Sequence, residues 1–486
     1  MKAEREEAVV WDAAVIGGGL LGCFCALNLS RCSVKTVLLE KREHLCTGIS
    51  RANTAVIYPG YDNRPGSMKT NLTLKANREL DELCRKLEVP YLRCGSLLVS
   101  FGPGSDQTVR KKYRQGMENG VPGLRLLSAR EVREMEPGLT EEVTLGLYAP
   151  STATLHPWEL GIAAWEAAGE LGLKTRFDTE VTAIRRENGC FCLEMNHERT
   201  VRSRTIVNCA GIAADRVQEL YAEPAIRIRA ELAEYVLFEP EDGGAPGHII
   251  FCETEERGKG ITLVPTVNGK LLAGTVNRPA GADSPPATSA SGCERLIAES
   301  RKLFPRLADS VRIRSFAGLR PNPYRPDSPG TRMCGLEPLI TETGDGLISL
   351  IGIKTPGLTC ANELGKLTAG RVLAALGREN SGFFKEIPPR RRYRAYLEDP
   401  AYQKIVCRCE QITEGEILEA VKRGAVTIDG VKRRTGSGMG QCQGSHCSPR
   451  IAGLLARQMS AADGQIIKDG RGSYCLFQKD GGERDV

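Results

Sequence analysis

Long apolar runs are absent from this 486-residue chain: no stretch approaches 18 uninterrupted apolar residues, which excludes a simple transmembrane helix. An excess of one charge is missing too. Lys+Arg 66 against Asp+Glu 60 leaves a formal net charge of +6, evenly spread, too little to make nucleic acid the main partner. The N-terminal stretch MKAEREEAVVWDAAVIGGG has no cationic leader followed by an apolar core and a cleavage site. The expected location is therefore cytoplasmic, with reduced thiols, and any association with a membrane would run through a partner subunit.

Cysteine, by contrast, is plentiful at 18. Cys23, Cys25, Cys209 and Cys360 lie in apolar surroundings and read as small core residues. Four others have the spacing of ligands. The remaining composition, 41% hydrophobic and 26% charged, is that of a globular protein, and the length calls for two or three domains.

Residues 9–16 (VVWDAAVI) read as a buried strand, residues 20–30 as a small-residue helix and residues 34–40 as a second strand. Between the first strand and the helix lie Gly17, Gly19 and Gly22 in a G-x-G-x-x-G turn, and Glu40 closes the second strand. Gly17 permits the tight turn, Gly19 lets backbone approach a pyrophosphate, and Gly22 lets helix and strand pack closely. The helix N-terminus offers free N–H groups and a positive dipole end. The Glu40 carboxylate suits ribose hydroxyls and disfavours a 2′-phosphate. The unit is a dinucleotide site.

Near the other end, Cys407, Cys409, Cys442 and Cys447 form C-x-C-x32-C-x4-C around a Gly-rich turn. Four thiolates can hold a [2Fe–2S] cluster; a zinc ion bound by the same four is the alternative. Lys432, Arg433 and Arg434 lie close by in sequence, where they either offset an anionic cluster or form a solvated run. A dinucleotide site and an iron–sulfur site in one chain point to a redox enzyme that takes electrons in pairs and passes them on singly.

Between the two sites, the patterning predicts a helix over 71–88, a strand over 97–101, a short helix over 128–135 with Ser128 and Glu131 as a capping box, and a helix over 157–171. Strands follow near 180–185, 190–195 and 205–211. Residues 226–278 alternate as an antiparallel sheet, 279–292 read as a loop, and 347–353 are a buried strand leading into a helix at 358–376.

The stretches NTAVIYPGYD (53–62), PGSMK (65–69), YAPSTATLHPWEL (148–160), GKGITLVPTVNGKLLAG (258–274), FAGLRP (316–321) and GIKTPGLT (352–359) together resemble the FAD-dependent amino-acid-oxidase/glycerol-3-phosphate-dehydrogenase superfamily over nearly the whole length. The pattern is similar to anaerobic glycerol-3-phosphate dehydrogenase large subunits and to bacterial L-2-hydroxyglutarate dehydrogenases. The C-terminal segment, through ITEGEI (412–417) and DGVKRRTGSGMGQCQGSHC (429–447), resembles the bacterioferritin-associated-ferredoxin-like [2Fe–2S] domain.

The resemblance implies FAD at the first site. Thr47, Ser50, Asn53, Ala210, Gly211, Gly352, Lys354, Gly357, Leu358 and Thr359 then join Gly17, Gly19, Gly22 and Glu40 around it. It implies that Arg320 anchors a small anionic substrate by two parallel hydrogen bonds, with Tyr58 and Tyr235 facing the flavin. The chain departs from the pattern at Tyr58 and Asn268, where relatives often carry His, and at Ala233, where Gly is common. The expected activity is a dehydrogenase that oxidises glycerol 3-phosphate to dihydroxyacetone phosphate and feeds a partner redox subunit or acceptor protein. The alternatives are a 2-hydroxy-acid or amino/imino-acid dehydrogenase, and a non-catalytic electron-transfer subunit.

The implied fold class is α/β with α+β: a Rossmann-like FAD-binding domain (8–83, 145–220 and 330–378), an inserted antiparallel-sheet substrate domain (84–144 and 221–329), a linker (379–403), and a small [2Fe–2S] domain (404–486).

Overall fold

The computed structural model describes residues 9–196, 199–241, 244–254, 258–281, 283–328, 333, 335–379, 385–389 and 399–475. The chain forms two compact units, divided near residue 390. Most of the second half of the expected linker, including Arg390–Arg392, lies outside the described residues.

The first unit is built on the predicted strand–turn–helix–strand. Strand β1 (Val10–Ile16), helix α1 (Leu20–Arg31) and strand β2 (Thr36–Leu39) fall where the periodicity puts them. β1 is central in a parallel layer. On one side it pairs with Arg199–Asn208, which pairs in turn with Leu347–Leu350; on the other it pairs with β2 and then Lys174–Arg176. A hairpin, Val181–Glu187 and Cys190–Met195, extends this sheet in antiparallel sense. Both faces of β1 are covered, so its inner half reads as an unbroken apolar run.

Helix α1 is buried nearly all round, which explains why it carries small and apolar residues on every face. It packs between the helices Pro157–Glu170 and Ala361–Ala375. The crossing with the latter is close: a Cβ on Gly365 would sit 2.6 Å from the Phe24 carbonyl oxygen. Asn28 donates to Asn362 Oδ1 at 3.1 Å in the same buried interface. Phe24, Leu27 and Leu29 are fully buried there, each contributing roughly 2 kcal/mol of apolar transfer.

The second sheet has eight strands. At one edge of it, Val311–Tyr324 pairs with Arg227–Glu239 along thirteen registered positions, from Arg227 opposite Tyr324 to Glu239 opposite Val311. The sheet is antiparallel except that Ile249–Thr254 runs parallel to Ser96–Ser100. The parallel pair modifies the purely antiparallel expectation, because Ser96–Ser100 enters from an earlier part of the chain. Two helices on this part of the unit were not anticipated: Pro103–Glu118, and Ala290–Leu303, which begins inside the expected loop with Ser289 accepting from the Gly292 N–H at 3.1 Å. The capping box at Ser128 and Glu131 is present with both of its hydrogen bonds.

Within the expected linker, Lys385 and Ile387 belong to the first unit. The Lys385 N–H donates to the Arg31 carbonyl at 2.9 Å, and Ile387 is buried in the core around α1. The second unit, taken by itself, pairs Ile405–Cys407 with Ile412–Thr413 and packs the helices Glu414–Lys422, Ile428–Thr435 and Ser448–Met459 round its own apolar core. Among the described residues, no helix is long and apolar enough to cross a membrane.

Candidate active site

The Gly-rich turn is sterically closed except where a ligand would come. Gly17 has φ +102°, and a Cβ there would lie 2.6 Å from the Cys209 carbonyl oxygen. A Cβ on Gly22 would lie 1.9 Å from the Gly17 carbonyl oxygen, so helix and turn meet backbone to backbone. Gly19 is the open position: a methyl added there would meet only the Ser50 hydroxyl, at 3.4 Å. It heads α1 without a side-chain cap, and the first turn holds no acid. The N–H of Leu20 donates to Ser50 Oγ at 2.9 Å. Glu40, buried at the end of β2, accepts from the Gly18 N–H at 2.6 Å. A helix N-terminus with no acid in its first turn, a glycine cradle and a buried carboxylate at its edge suit a dinucleotide diphosphate.

The loop after β2 and the 208–211 stretch meet this turn, and the 352–359 segment meets Tyr58 and the strand Val311–Tyr324. Residues 49–51 form a short 3-10 turn whose Ile49 lies 3.9 Å from where a Gly211 Cβ would be, and Ala210 is held by the Asn208 amide. Asn53 serves its own loop. Its amide nitrogen donates to the Ile49 and Ser50 carbonyls, and its oxygen accepts from the Ala55 N–H at 2.8 Å. Thr47 precedes this turn. Thr359 Oγ1 accepts from the Tyr58 N–H at 3.0 Å. Gly352, at φ +72°, lies against Pro323, while Gly357 and Leu358 follow in the turn that leads into Ala361–Ala375.

Arg320 sits between two of these segments. On the strand Val311–Tyr324, residues 318, 320 and 322 share a face. A Cβ on Gly318 would lie 2.4 Å from the Ala52 carbonyl, and Asn322 accepts from Lys354 Nζ at 2.5 Å. Arg320 is therefore held between the 49–55 loop and the 352–359 segment. Among the described residues, no hydrogen bond or ion pair engages its guanidinium, although its charge reaches the phenols of both Tyr58 and Tyr235. Tyr58 stacks on Phe251 with centroids 6.0 Å apart, and Tyr235 on Phe316 at 5.0 Å. Burial raises both phenols above their ordinary range, so both stay protonated.

Sequence reasoning did not single out Lys259 and Asp62. Lys259 Nζ pairs with Asp62 Oδ2 at 3.2 Å, and the Asp62 charge raises the ammonium's pKa. Burial pushes Asp62 upward, but Lys259, Lys69 and Lys112 outweigh it and hold the carboxyl below its usual range. The two residues are nearly 200 positions apart, but both fall in stretches that carry the family resemblance, GKGITLVP and NTAVIYPGYD. Two of the three departures from the family pattern lie in ordinary settings: Ala233 is a buried strand residue, and the Asn268 carbonyl oxygen accepts from the Thr266 hydroxyl in a turn.

In the second unit the four cysteines come together as two pairs. Cys409 Sγ lies 3.6 Å from Cys442 Sγ, and Cys447 lies near enough to Cys407 to feel its charge. Gly440 makes room for Cys409, since a Cβ there would lie 2.3 Å from that of Cys409. The N–H of His446 and then that of Gly444 hold the Cys442 thiol below its ordinary range; burial and Cys407 push Cys447 up to about 12. Among the described residues, no three metal-binding side chains converge as they would round a single ion. Four thiols brought together in this way suit a [2Fe–2S] cluster.

Residues 12–371 match the family model described as FAD dependent oxidoreductase. The chain belongs to that family. Residues 405–457 of this oxidoreductase match the BFD-like [2Fe-2S] binding domain. Its cofactors are FAD and a [2Fe–2S] cluster, and the residues at both sites fit them. A glycerol 3-phosphate dehydrogenase of Caloramator mitchellensis is 35% identical over 483 residues, covering 96% of this chain and 98% of the relative. A glycerol 3-phosphate oxidase of Mycoplasma pneumoniae is 25% identical, covering 72% and 91%. The human mitochondrial L-2-hydroxyglutarate dehydrogenase is 27% identical, covering 54% and 60%. Among solved structures, the FAD-bound L-alpha-glycerophosphate oxidase from Mycoplasma pneumoniae shares the fold with TM-score 0.68 at 22% identity, covering 78% of this chain and 98% of its own. The glycine oxidase from Geobacillus kaustophilus does so with TM-score 0.65 at 22% identity, covering 76% and 96%.

Proposed function

We propose that this oxidoreductase oxidises sn-glycerol 3-phosphate to dihydroxyacetone phosphate and delivers the electrons through its cluster to a partner acceptor. The observation that carries the reading is the Arg320 guanidinium, flanked by two buried phenols and engaged by no ion pair among the described residues. The near-full-length likeness to a glycerol 3-phosphate dehydrogenase supports the same substrate. Charge supports it as well. Lys69, Lys112, Lys259, Lys354 and Arg320 stand against Asp62, Glu253 and Glu231, the last directly across the strand pair from Arg320, and the excess of cations suits a dianion better than the zwitterion of an amino acid.

In this reading Gly17, Gly19, Gly22, Glu40, Thr47, Ser50, Asn53, Ala210, Gly211, Gly352, Lys354, Gly357, Leu358 and Thr359 hold FAD, and Cys407, Cys409, Cys442 and Cys447 hold the cluster. FAD, when bound, supplies the two-electron acceptor for the substrate's hydride, and the cluster carries those electrons away singly. Arg320 binds the phosphate in bidentate fashion and orients the carbinol carbon. Tyr58 and Tyr235, kept protonated by burial, act as hydrogen-bond donors to substrate oxygen and do not remove its proton. The hydroxyl proton leaves to water.

A 2-hydroxy dicarboxylate is also a dianion, and the partial likeness to an L-2-hydroxyglutarate dehydrogenase keeps it as the second reading. Anaerobic turnover with an artificial one-electron acceptor separates them. The proposal expects kcat/KM for sn-glycerol 3-phosphate to exceed that for L-2-hydroxyglutarate, glycine and L-proline by at least about a hundredfold, the discrimination of roughly 2.7 kcal/mol. A preference for any of the other three overturns it.

A further inference from the structure

The two thiol pairs of the second unit lie in unlike surroundings, and the difference is of the kind that governs where an electron rests. Cys407 and Cys447 are each 1% exposed and belong to the apolar core of the unit, with Val406, Ile417, Val431 and Ile451. Cys409 is exposed and Cys442 is partly so. Cys442 opens a tight turn, its carbonyl accepting from the Ser445 N–H at 3.1 Å, and this turn sets the Gly444 and His446 backbone and the Ser445 hydroxyl around its sulfur. Gly444 has φ +90°, a left-handed conformation that a side chain would strain.

From this asymmetry we infer that Cys409 and Cys442 hold the iron that becomes ferrous when the cluster takes up one electron, and that this edge is where the electron leaves the chain. Adding an electron adds negative charge to an already anionic cluster. Water and N–H or O–H donors stabilise that charge, whereas an apolar core resists it. The outer iron gains on both counts. No bond is made or broken: the reduced flavin gives up one electron, the outer ferric ion becomes ferrous, and an acceptor touching the exposed edge then takes the electron. The inner pair, bedded in the core, anchors the cluster. This inference rests on the two cofactors and not on the identity of the substrate.

Ser445→Ala tests it without removing a ligand. Full-length protein loaded with FAD and a 57Fe-enriched cluster is reduced with dithionite, so a wrong substrate assignment has no bearing on the result. The inference expects the midpoint potential of the cluster to fall in the variant. It also expects the Mössbauer doublet of the ferrous site to change while that of the ferric site stays as in the parent. An unchanged midpoint, or a change confined to the ferric doublet, overturns it. A second comparison uses serine ligands: Cys409→Ser should lower the midpoint more than Cys407→Ser, and the reverse order also overturns the inference.

Discussion

Tyr58 and Thr359, 301 positions apart, are joined by a hydrogen bond from the Tyr58 backbone N–H to the Thr359 hydroxyl at 3.0 Å. The bond ties the loop that carries a site tyrosine to the segment that leads into the last helix of the first unit. Thr359 is buried, so Thr359→Val leaves the Tyr58 N–H without its partner. The expected loss is about 1–3 kcal/mol of stability, with weaker retention of FAD. Thr359→Ser keeps the hydroxyl and should retain most of both. Denaturant unfolding and the flavin content after gel filtration check the pair.

Gly22→Ala brings a methyl to 1.9 Å from the Gly17 carbonyl oxygen. Both partners are backbone, and neither can give way without opening the turn. The variant should lose FAD and several degrees of melting temperature, the consequence of at least about 1–3 kcal/mol of overpacking. Gly169→Ala, near the end of the helix Pro157–Glu170 and with nothing within 4 Å of the added methyl, is the control and should retain its flavin.

Arg320→Lys keeps the charge but not the two-pronged donor. We expect kcat/KM to fall by on the order of a hundredfold, about 2–3 kcal/mol, and further in Arg320→Met. The flavin spectrum should be unchanged in both, because the guanidinium is assigned to the substrate. Loss of flavin in the lysine variant would instead place Arg320 in the FAD site.

His156 stacks on Trp158 at 4.8 Å, and burial lowers its pKa from 6.5 to about 4. Because the folded value lies below the unfolded one, the unfolded chain binds the extra proton first. The stability that neutral His156 contributes is fully present above pH 6.5 and is lost as pH falls from there toward 4. Replacing it in His156→Asn should flatten that part of the stability–pH curve. Unfolding midpoints measured between pH 7 and 4 for both proteins check the difference.

The β1–α1–β2 unit was legible because its evidence is local: an apolar run, three glycines at fixed spacing and an acid at the end of the next strand. The Ser128–Glu131 capping box was legible for the same reason. Helix Pro103–Glu118 was not, because it buries little beyond Ser105, Val109 and Gly116, and so narrow an apolar stripe leaves a weak period in the sequence. The parallel pairing of Ser96–Ser100 with Ile249–Thr254 joins strands some 150 residues apart, and no local pattern encodes such a partner. The Lys259–Asp62 pair was hidden similarly, since each residue alone looks like a solvated charge. Asn53 shows the opposite limit. Its place in a polar loop soon after the second strand could be read from the sequence, but the bonds of its amide to Ile49, Ser50 and Ala55 depend on how the loop closes.

The central claim is that one small phosphorylated alcohol binds at Arg320 and sends electrons first to FAD and then to the cluster. An anaerobic titration of the oxidised full-length protein with sn-glycerol 3-phosphate, followed by visible absorption, tests it most directly. The account predicts bleaching of the flavin band, followed by loss of cluster absorption as further electrons arrive. A flavin that stays oxidised with this substrate, yet bleaches with L-2-hydroxyglutarate or an amino acid, contradicts the substrate. A flavin inert to every substrate but reducible by dithionite contradicts the dehydrogenase reading itself.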